Sequence, residues 1–111
     1  MTNQPLPVCR IDCWATVLGA GDISAPHVHP GAELSGVYYL QVPDDLLPGE
    51  GVIRLIDPRP GARYSKVFSG QTMNITPTPG QVLVFPSWIE HFVTAHTTGG
   101  HRISIAWNVV F

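Results

Sequence analysis

Three histidines are the residues in this sequence best suited to chemistry. His27 and His29 stand two positions apart, a separation that places both imidazoles on the same face of an extended strand. Pro30 favours an extended backbone at His29, the residue that precedes it. His91 follows a Pro-Ser-Trp turn far along the chain, and we expect a distant strand to bring it beside the pair. Since imidazole is the commonest metal ligand, the spacing predicts a metal site with three histidine ligands.

Short strands must position these side chains, because no segment shows a convincing helical period. The eleven prolines and eleven glycines are spread along the chain, where they mark turns rather than a linker. The clearest strand holds the β-forming run Val37-Tyr38-Tyr39-Leu40. The segments predict an all-β fold, a sandwich or closed barrel of jelly-roll type with about eight strands. The predicted strands are residues 8–18, 23–29, 34–42, 52–56, 71–76, 81–85, 91–96 and 102–110.

The last predicted strand alternates sharply between two kinds of side chain. One face carries Arg102, Ser104, Ala106 and Asn108, and the other carries Ile103, Ile105, Trp107 and Val109. In a small barrel with a polar cavity, Arg102 and Ser104 can point inward at a ligand. The apolar face must then be covered from outside, and no predicted helix covers it. Because an exposed apolar patch usually marks an interface, we expect a homo-oligomer.

Length and charge narrow the classes of function. The 111 residues suffice for one domain, residues 1–111. Six lysines and arginines stand against eight aspartates and glutamates without a basic stripe, so nucleic acid is not an expected partner. No apolar run approaches the roughly 20 residues of a membrane span, so a membrane is not expected either. The N-terminus lacks the basic and apolar regions of a secretory signal, and we expect a cytoplasmic protein.

Three blocks of sequence occur in a specific order. They are His27-Val28-His29-Pro30 with the strand at 34–40, the segment 83–91 that ends in Pro86-Ser87-Trp88-Ile89-Glu90-His91, and the segment 102–108. Together they resemble the bacterial and phage family of 2-oxoglutarate- and Fe(II)-dependent oxygenases, and the resemblance covers about residues 14–108. It implies a double-stranded β-helix fold and the hydroxylation of an unidentified small molecule with dioxygen. A facial set of three ligands, with its open coordination positions, is typical of that chemistry.

The resemblance also implies a set of iron ligands. His27 corresponds to the first ligand and His91 to the distal histidine of the family. His29 stands where the wider superfamily has aspartate or glutamate, so this ligand set carries one negative charge fewer. Fe(II) is the implied metal and 2-oxoglutarate the implied co-substrate. Three protein ligands leave three positions on a six-coordinate iron, enough for bidentate 2-oxoglutarate and dioxygen.

A second implied group binds the far carboxylate of 2-oxoglutarate. Arg102 corresponds to the arginine that forms a salt bridge with it, and Ser104 completes an Arg-x-Ser pair. Tyr39 corresponds to a tyrosine that donates a hydrogen bond to the same carboxylate. A guanidinium suits this role because its planar fork binds a carboxylate bidentately.

Two other interpretations remain open from the residues. The first cupin motif is matched in spacing by Gly21, His27, His29 and Glu33, and the second by Gly80, Pro86 and His91, with Trp88 where that motif has glycine. In a cupin Glu33 is a fourth ligand, which leaves only two positions, too few for bidentate 2-oxoglutarate plus dioxygen. The third interpretation is a jelly-roll binding module in which Trp88 and the tyrosines stack on a sugar.

Overall fold

Eight β-strands make up the regular structure of the part of the chain described by a computed structural model, residues 4–5, 8–59 and 72–111. They pair antiparallel in two four-stranded sheets, with the orders β1-β8-β3-β6 and β2-β7-β4-β5. The predicted all-β fold with about eight strands is therefore confirmed. The strands are β1 (Arg10–Leu18), β2 (Ser24–His27), β3 (Leu34–Gln41), β4 (Ile53–Leu55), β5 (Met73–Ile75), β6 (Val82–Pro86), β7 (His91–Val93) and β8 (Arg102–Val110).

The strand ends differ from the prediction mainly around the first histidine pair. The prediction placed both histidines on one strand, but β2 ends at His27 and His29 lies in the following loop. Pro30 and Gly31, whose φ of 83° favours glycine, turn the chain there. The His29 amide accordingly donates to the Ser87 carbonyl at 3.1 Å instead of to a ladder partner. Of the predicted strand at 71–76, residue 71 lies outside the described residues.

The space between the sheets holds both an apolar cluster and buried polar side chains. Leu18, Ile53, Phe85 and Val93 form the apolar cluster, against which Leu55, Ile75, Leu83 and Ile89 pack. Tyr39 and Arg102 are buried farther along the same interior. A small domain that buries a polar group in place of more apolar side chains gives up some stability, so this polar interior is a candidate site.

The outer face of the first sheet is apolar across all four strands. The pairing register sets Val17 opposite Ile103 and Ala15 opposite Ile105, so their side chains share this face. At its centre, a Cβ on Gly36 would lie 2.1 Å from the Trp107 indole, which is why glycine stands there. The register places on this face Ile11, Cys13, Ala15, Val17, Leu34, Gly36, Tyr38, Val82, Val84, Pro86, Ile103, Ile105, Trp107 and Val109, together with the polar Gln41 beyond a bulge. Within the described ranges no helix covers this face, and none is long and apolar enough to cross a membrane.

Candidate functional site

Two strands and one loop bring the three histidines together. His27 at the end of β2 is paired with His91 at the start of β7, and the loop after β2 returns His29 to the same place. The ring centroids are separated by 4.3 Å for His27–His91, 4.9 Å for His27–His29 and 5.1 Å for His29–His91. One ligand atom from each ring lies within 4.8 Å of the other two. The cluster could therefore hold a metal ion.

Glu33 does not take part in this cluster. In the described part of the chain, the group of potential ligands at this position consists of the three histidines. Glu33 is exposed, and its backbone amide and carbonyl bond to Val109 and Ser87. A four-ligand set that includes this glutamate is not assembled.

Backbone carbonyls fix the proton position on two of the histidines. The Nδ1 atom of His27 lies 2.6 Å from the Ala25 carbonyl oxygen, and that of His91 lies 2.9 Å from the Ile89 carbonyl oxygen. A carbonyl can only accept a hydrogen bond, so Nδ1 is the protonated nitrogen in both rings. Each Nε2 then keeps its lone pair for a metal.

His29 has a side-chain partner instead. Its Nδ1 lies 3.3 Å from the amide nitrogen of Asn108, whose amide oxygen accepts a hydrogen bond of 2.8 Å from the Ser35 hydroxyl. The Trp14 ring packs beside His29, with centroids 5.9 Å apart. No role was predicted for Asn108, although the alternation of the last strand placed it on the same face as Arg102.

Two imidazoles of the cluster, those of His29 and His91, favour the neutral form. The pKa of His29 is lowered from 6.5, first by burial and then by the neighbouring His27. The pKa of His91 is also lowered from 6.5, mainly by burial, although its bond to the Ile89 carbonyl opposes the shift. Neutral imidazole is the form that binds metals, so at neutral pH these rings need lose no proton to act as ligands.

A turn after β6 supports the loop that carries His29. Ser87, only 2% exposed, donates its hydroxyl to the Ala32 carbonyl and its amide to the Glu33 carbonyl. Its own carbonyl accepts from the His29 amide. The loop and the turn that leads to His91 therefore form one hydrogen-bonded unit, which links the positions of the two ligand candidates.

A cavity of about 100 Å³ lies between the sheets and is lined by the histidine cluster together with Arg102 and Ser104. Both groups border on β8, where Asn108 stands beside His29 and Arg102 begins the strand. Ser104 and Ala106, which stand between these two positions on β8, line the same cavity, so both groups face one space.

Arg102 is a buried cation that lacks a carboxylate partner among the described residues. Only 2% of it is exposed. Its Nε donates to the Gly51 carbonyl at 3.0 Å, and its guanidinium carbon lies 4.9 Å from the centre of the Tyr39 ring. Burial lowers the pKa of Arg102 and raises that of Tyr39. Because an isolated charge is costly in an apolar interior, this position suits an anionic ligand.

The three residues that the family pattern assigns to the far carboxylate lie side by side. Tyr39 on β3 is paired with Ser104 on β8, and Arg102 is two residues away on the same strand. The Tyr39 hydroxyl lies 3.4 Å from the Nη2 atom of Arg102. Tyr39 is fully buried and Ser104 is 3% exposed, so all three polar groups are withheld from bulk water.

Comparison with protein families gives one match that spans most of the chain. The family model described as "Putative 2OG-Fe(II) oxygenase" matches residues 12–108. No curated protein sequence matches the chain.

Solved structures share the fold at low sequence identity. An oxidoreductase of the 2OG-Fe(II) oxygenase family from Burkholderia pseudomallei aligns with a TM-score of 0.72 and 18% identity, covering 93% of this chain and 45% of that one. A Pseudomonas putida prolyl-4-hydroxylase aligns with a TM-score of 0.68 and 20% identity, covering 88% of this chain and 51% of that one. An RmlC-like cupin from Desulfovibrio desulfuricans aligns with a TM-score of 0.52 and 18% identity, covering 90% of this chain and 71% of that one. The chain thus spans about half the length of the first two structures.

Proposed function

The chain belongs to the 2OG-Fe(II) oxygenase family, and from this premise we propose that it is a non-haem Fe(II)- and 2-oxoglutarate-dependent dioxygenase that hydroxylates a small molecule. One observation carries the proposal. One cavity between the sheets is lined by three imidazoles suited to a metal and by a buried arginine without a carboxylate partner among the described residues. A metal ion would bind to the three imidazoles, and a dianionic 2-oxo acid would pair with the arginine.

The donor set fits a mid-series divalent ion. His27, His29 and His91 would hold it, since imidazole nitrogen suits iron and its neighbours in the series. When bound, the iron supplies open coordination positions for a 2-oxo acid and for dioxygen. The histidines would hold the metal at the cavity wall, and the packed Phe85 ring, 4.9 Å from His91 between centroids, covers one side of the cluster.

The opposite group fits the far carboxylate of 2-oxoglutarate. Arg102 would supply the positive charge, and the hydroxyl groups of Tyr39 and Ser104 would supply hydrogen bonds. The bond from Nε to the Gly51 carbonyl and the contact with the Tyr39 ring already hold the guanidinium in place. A preorganised arginine loses little side-chain entropy when the anion binds.

A cupin function with four protein ligands has less support. Glu33, the fourth ligand in that interpretation, is exposed and lies outside the cluster of ligand atoms. The likeness to an RmlC-like cupin concerns the fold, which many different functions share.

Oxygen-dependent conversion of 2-oxoglutarate to succinate tests the proposed activity. The Fe(II)-loaded protein is mixed with 2-oxoglutarate under air, and succinate is measured for the wild type, His91→Ala and Arg102→Ala. We expect succinate from the wild type, none from His91→Ala, which lacks a metal ligand, and less at equal 2-oxoglutarate from Arg102→Ala, which lacks the anion partner. Equal succinate from all three proteins, or none from an iron-loaded wild type, would overturn the proposal.

A further inference from the structure

The three histidines of the cluster are held in two different ways. His27 and His91 each place Nδ1 against a backbone carbonyl, at 2.6 and 2.9 Å. His29 places Nδ1 against a side-chain amide, that of Asn108, at 3.3 Å. A carbonyl oxygen forces the proton onto Nδ1, whereas an amide offers an acceptor at one end and a donor at the other. Only His29 therefore has a proton position that its partner can change.

In the observed orientation Asn108 favours the unproductive tautomer of His29. Its amide nitrogen faces Nδ1, and its oxygen accepts the hydrogen bond from Ser35. Nδ1 must then accept, so the single proton of the neutral ring resides on Nε2. That nitrogen has no lone pair left for a metal.

A half-turn of the amide reverses this assignment without loss of hydrogen bonds. The Asn108 oxygen then accepts from the Nδ1–H group of His29, and its nitrogen donates to the Ser35 hydroxyl. Ser35 can take either role because a hydroxyl both donates and accepts. The amide has nearly the same shape in both orientations, so the rotation leaves the packing unchanged.

We propose that Asn108 is a positioning residue that stabilises the metal-binding tautomer of His29 when its amide turns to present the oxygen to Nδ1. The proposal rests on the proposed metal site. Ser35 supports both orientations, so the Ser35–Asn108 pair links β3 and β8 to the ligand carried by the loop after β2. Metal entry then selects the orientation that leaves Nε2 free.

Two substitutions at this position separate tautomer control from packing. Asn108→Leu keeps the shape but cannot hydrogen-bond, and Asn108→Asp keeps the shape and can only accept when ionised. Zn(II) alone is the probe, with affinity measured by competition with a chelator. We expect Asn108→Leu to bind Zn(II) about 10- to 100-fold more weakly, the usual effect of losing a partner behind a metal ligand. Asn108→Asp should bind at least as tightly as the wild type.

Nitrogen NMR of the histidine rings reads the tautomer directly. In the Zn(II)-bound wild type, His29 should carry its proton on Nδ1, as should metal-free Asn108→Asp. The melting temperatures of the metal-free proteins show whether either variant is misfolded. A His29 proton on Nε2 in the Zn(II) complex, or wild-type affinity in Asn108→Leu, would overturn the proposal while leaving the metal site intact. Failure of the wild type to bind Zn(II) at all would overturn the metal site and this proposal together.

Discussion

Replacing Arg102 by alanine is expected to abolish most of the stabilisation by 2-oxoglutarate. The side chain is 2% exposed, and no carboxylate among the described residues neutralises it. A carboxylate bound against it would form a desolvated charge pair. Removing one partner of such a pair typically costs about 2–5 kcal/mol, part of which is the penalty of leaving the other charge unpaired.

The size of the effect follows from mass action. At about 100 times its Kd, 2-oxoglutarate stabilises the metal-loaded wild type by about 2.7 kcal/mol. A shift of roughly 4–8 °C per kcal/mol in a domain of this size gives a rise in Tm of about 10–20 °C. A loss of 2 kcal/mol weakens binding about 30-fold, since 1.4 kcal/mol is tenfold. The same concentration then exceeds the variant's Kd only about threefold and stabilises it by about 0.8 kcal/mol.

Thermal unfolding of the Mn(II)-loaded protein under anaerobic conditions measures these shifts. Arg59→Ala is the matched control, because this arginine is exposed and pairs locally with Asp57. 2-Oxobutyrate is the matched ligand, since it has the 2-oxo acid group but no far carboxylate. We expect it to stabilise the wild type and Arg102→Ala equally, and Arg59→Ala to respond to 2-oxoglutarate like the wild type.

Two results would contradict the expected role of Arg102. An equal 2-oxoglutarate shift in the wild type and Arg102→Ala would show that the arginine does not contact the far carboxylate. A loss of the 2-oxobutyrate shift in Arg102→Ala would show that the substitution damages the metal end of the cavity instead.

Three further outcomes are expected. His91→Ala should lose stoichiometric metal because only two imidazoles remain, and elemental analysis that finds one ion per chain would contradict the site. Because the pKa values of His29 and His91 are lowered in the folded protein, the unfolded chain binds more protons than the folded one below about pH 6.5. The metal-free protein should therefore become less stable to urea between pH 7.5 and pH 5.5, and an unchanged urea midpoint would contradict this expectation. The uncharged outer face of the first sheet should associate with a second copy, so light scattering should show a dimer that Val84→Lys dissociates, and a monomeric wild type at micromolar concentration would contradict it.

The sequence predicted best those features that depend on local alternation. Arg102–Val110 was predicted to the residue because polar and apolar side chains alternate along most of its length. The His-x-His pair was predicted to lie on one strand, whereas β2 ends at His27. The sequence could not show this, because the chain leaves the strand where the His29 amide bonds to the Ser87 carbonyl of a distant turn. Strand ends of this kind are decided by tertiary hydrogen bonds.

The hydrogen-bond partners of the candidate metal ligands could not be predicted from local alternation. Ser35 meets Asn108 only because β3 and β8 pair in one particular register. A shift of one residue would turn every side chain of the strand to the opposite face. The alternation of polar and apolar residues within one strand does not show which strand pairs with it or in which register. The sequence therefore placed Asn108 on a face of β8 without identifying its partner His29.

Anaerobic titration of the Fe(II)-loaded protein with 2-oxoglutarate shows whether one cavity binds both the metal and the co-substrate. A 2-oxo acid chelated to Fe(II) absorbs visible light by charge transfer, so the absorption reports the metal and the co-substrate together. We expect a saturable absorption at one 2-oxoglutarate per chain, weakened at equal concentration in Arg102→Ala and absent in His91→Ala. An iron-loaded wild type that develops no such absorption would contradict this expectation.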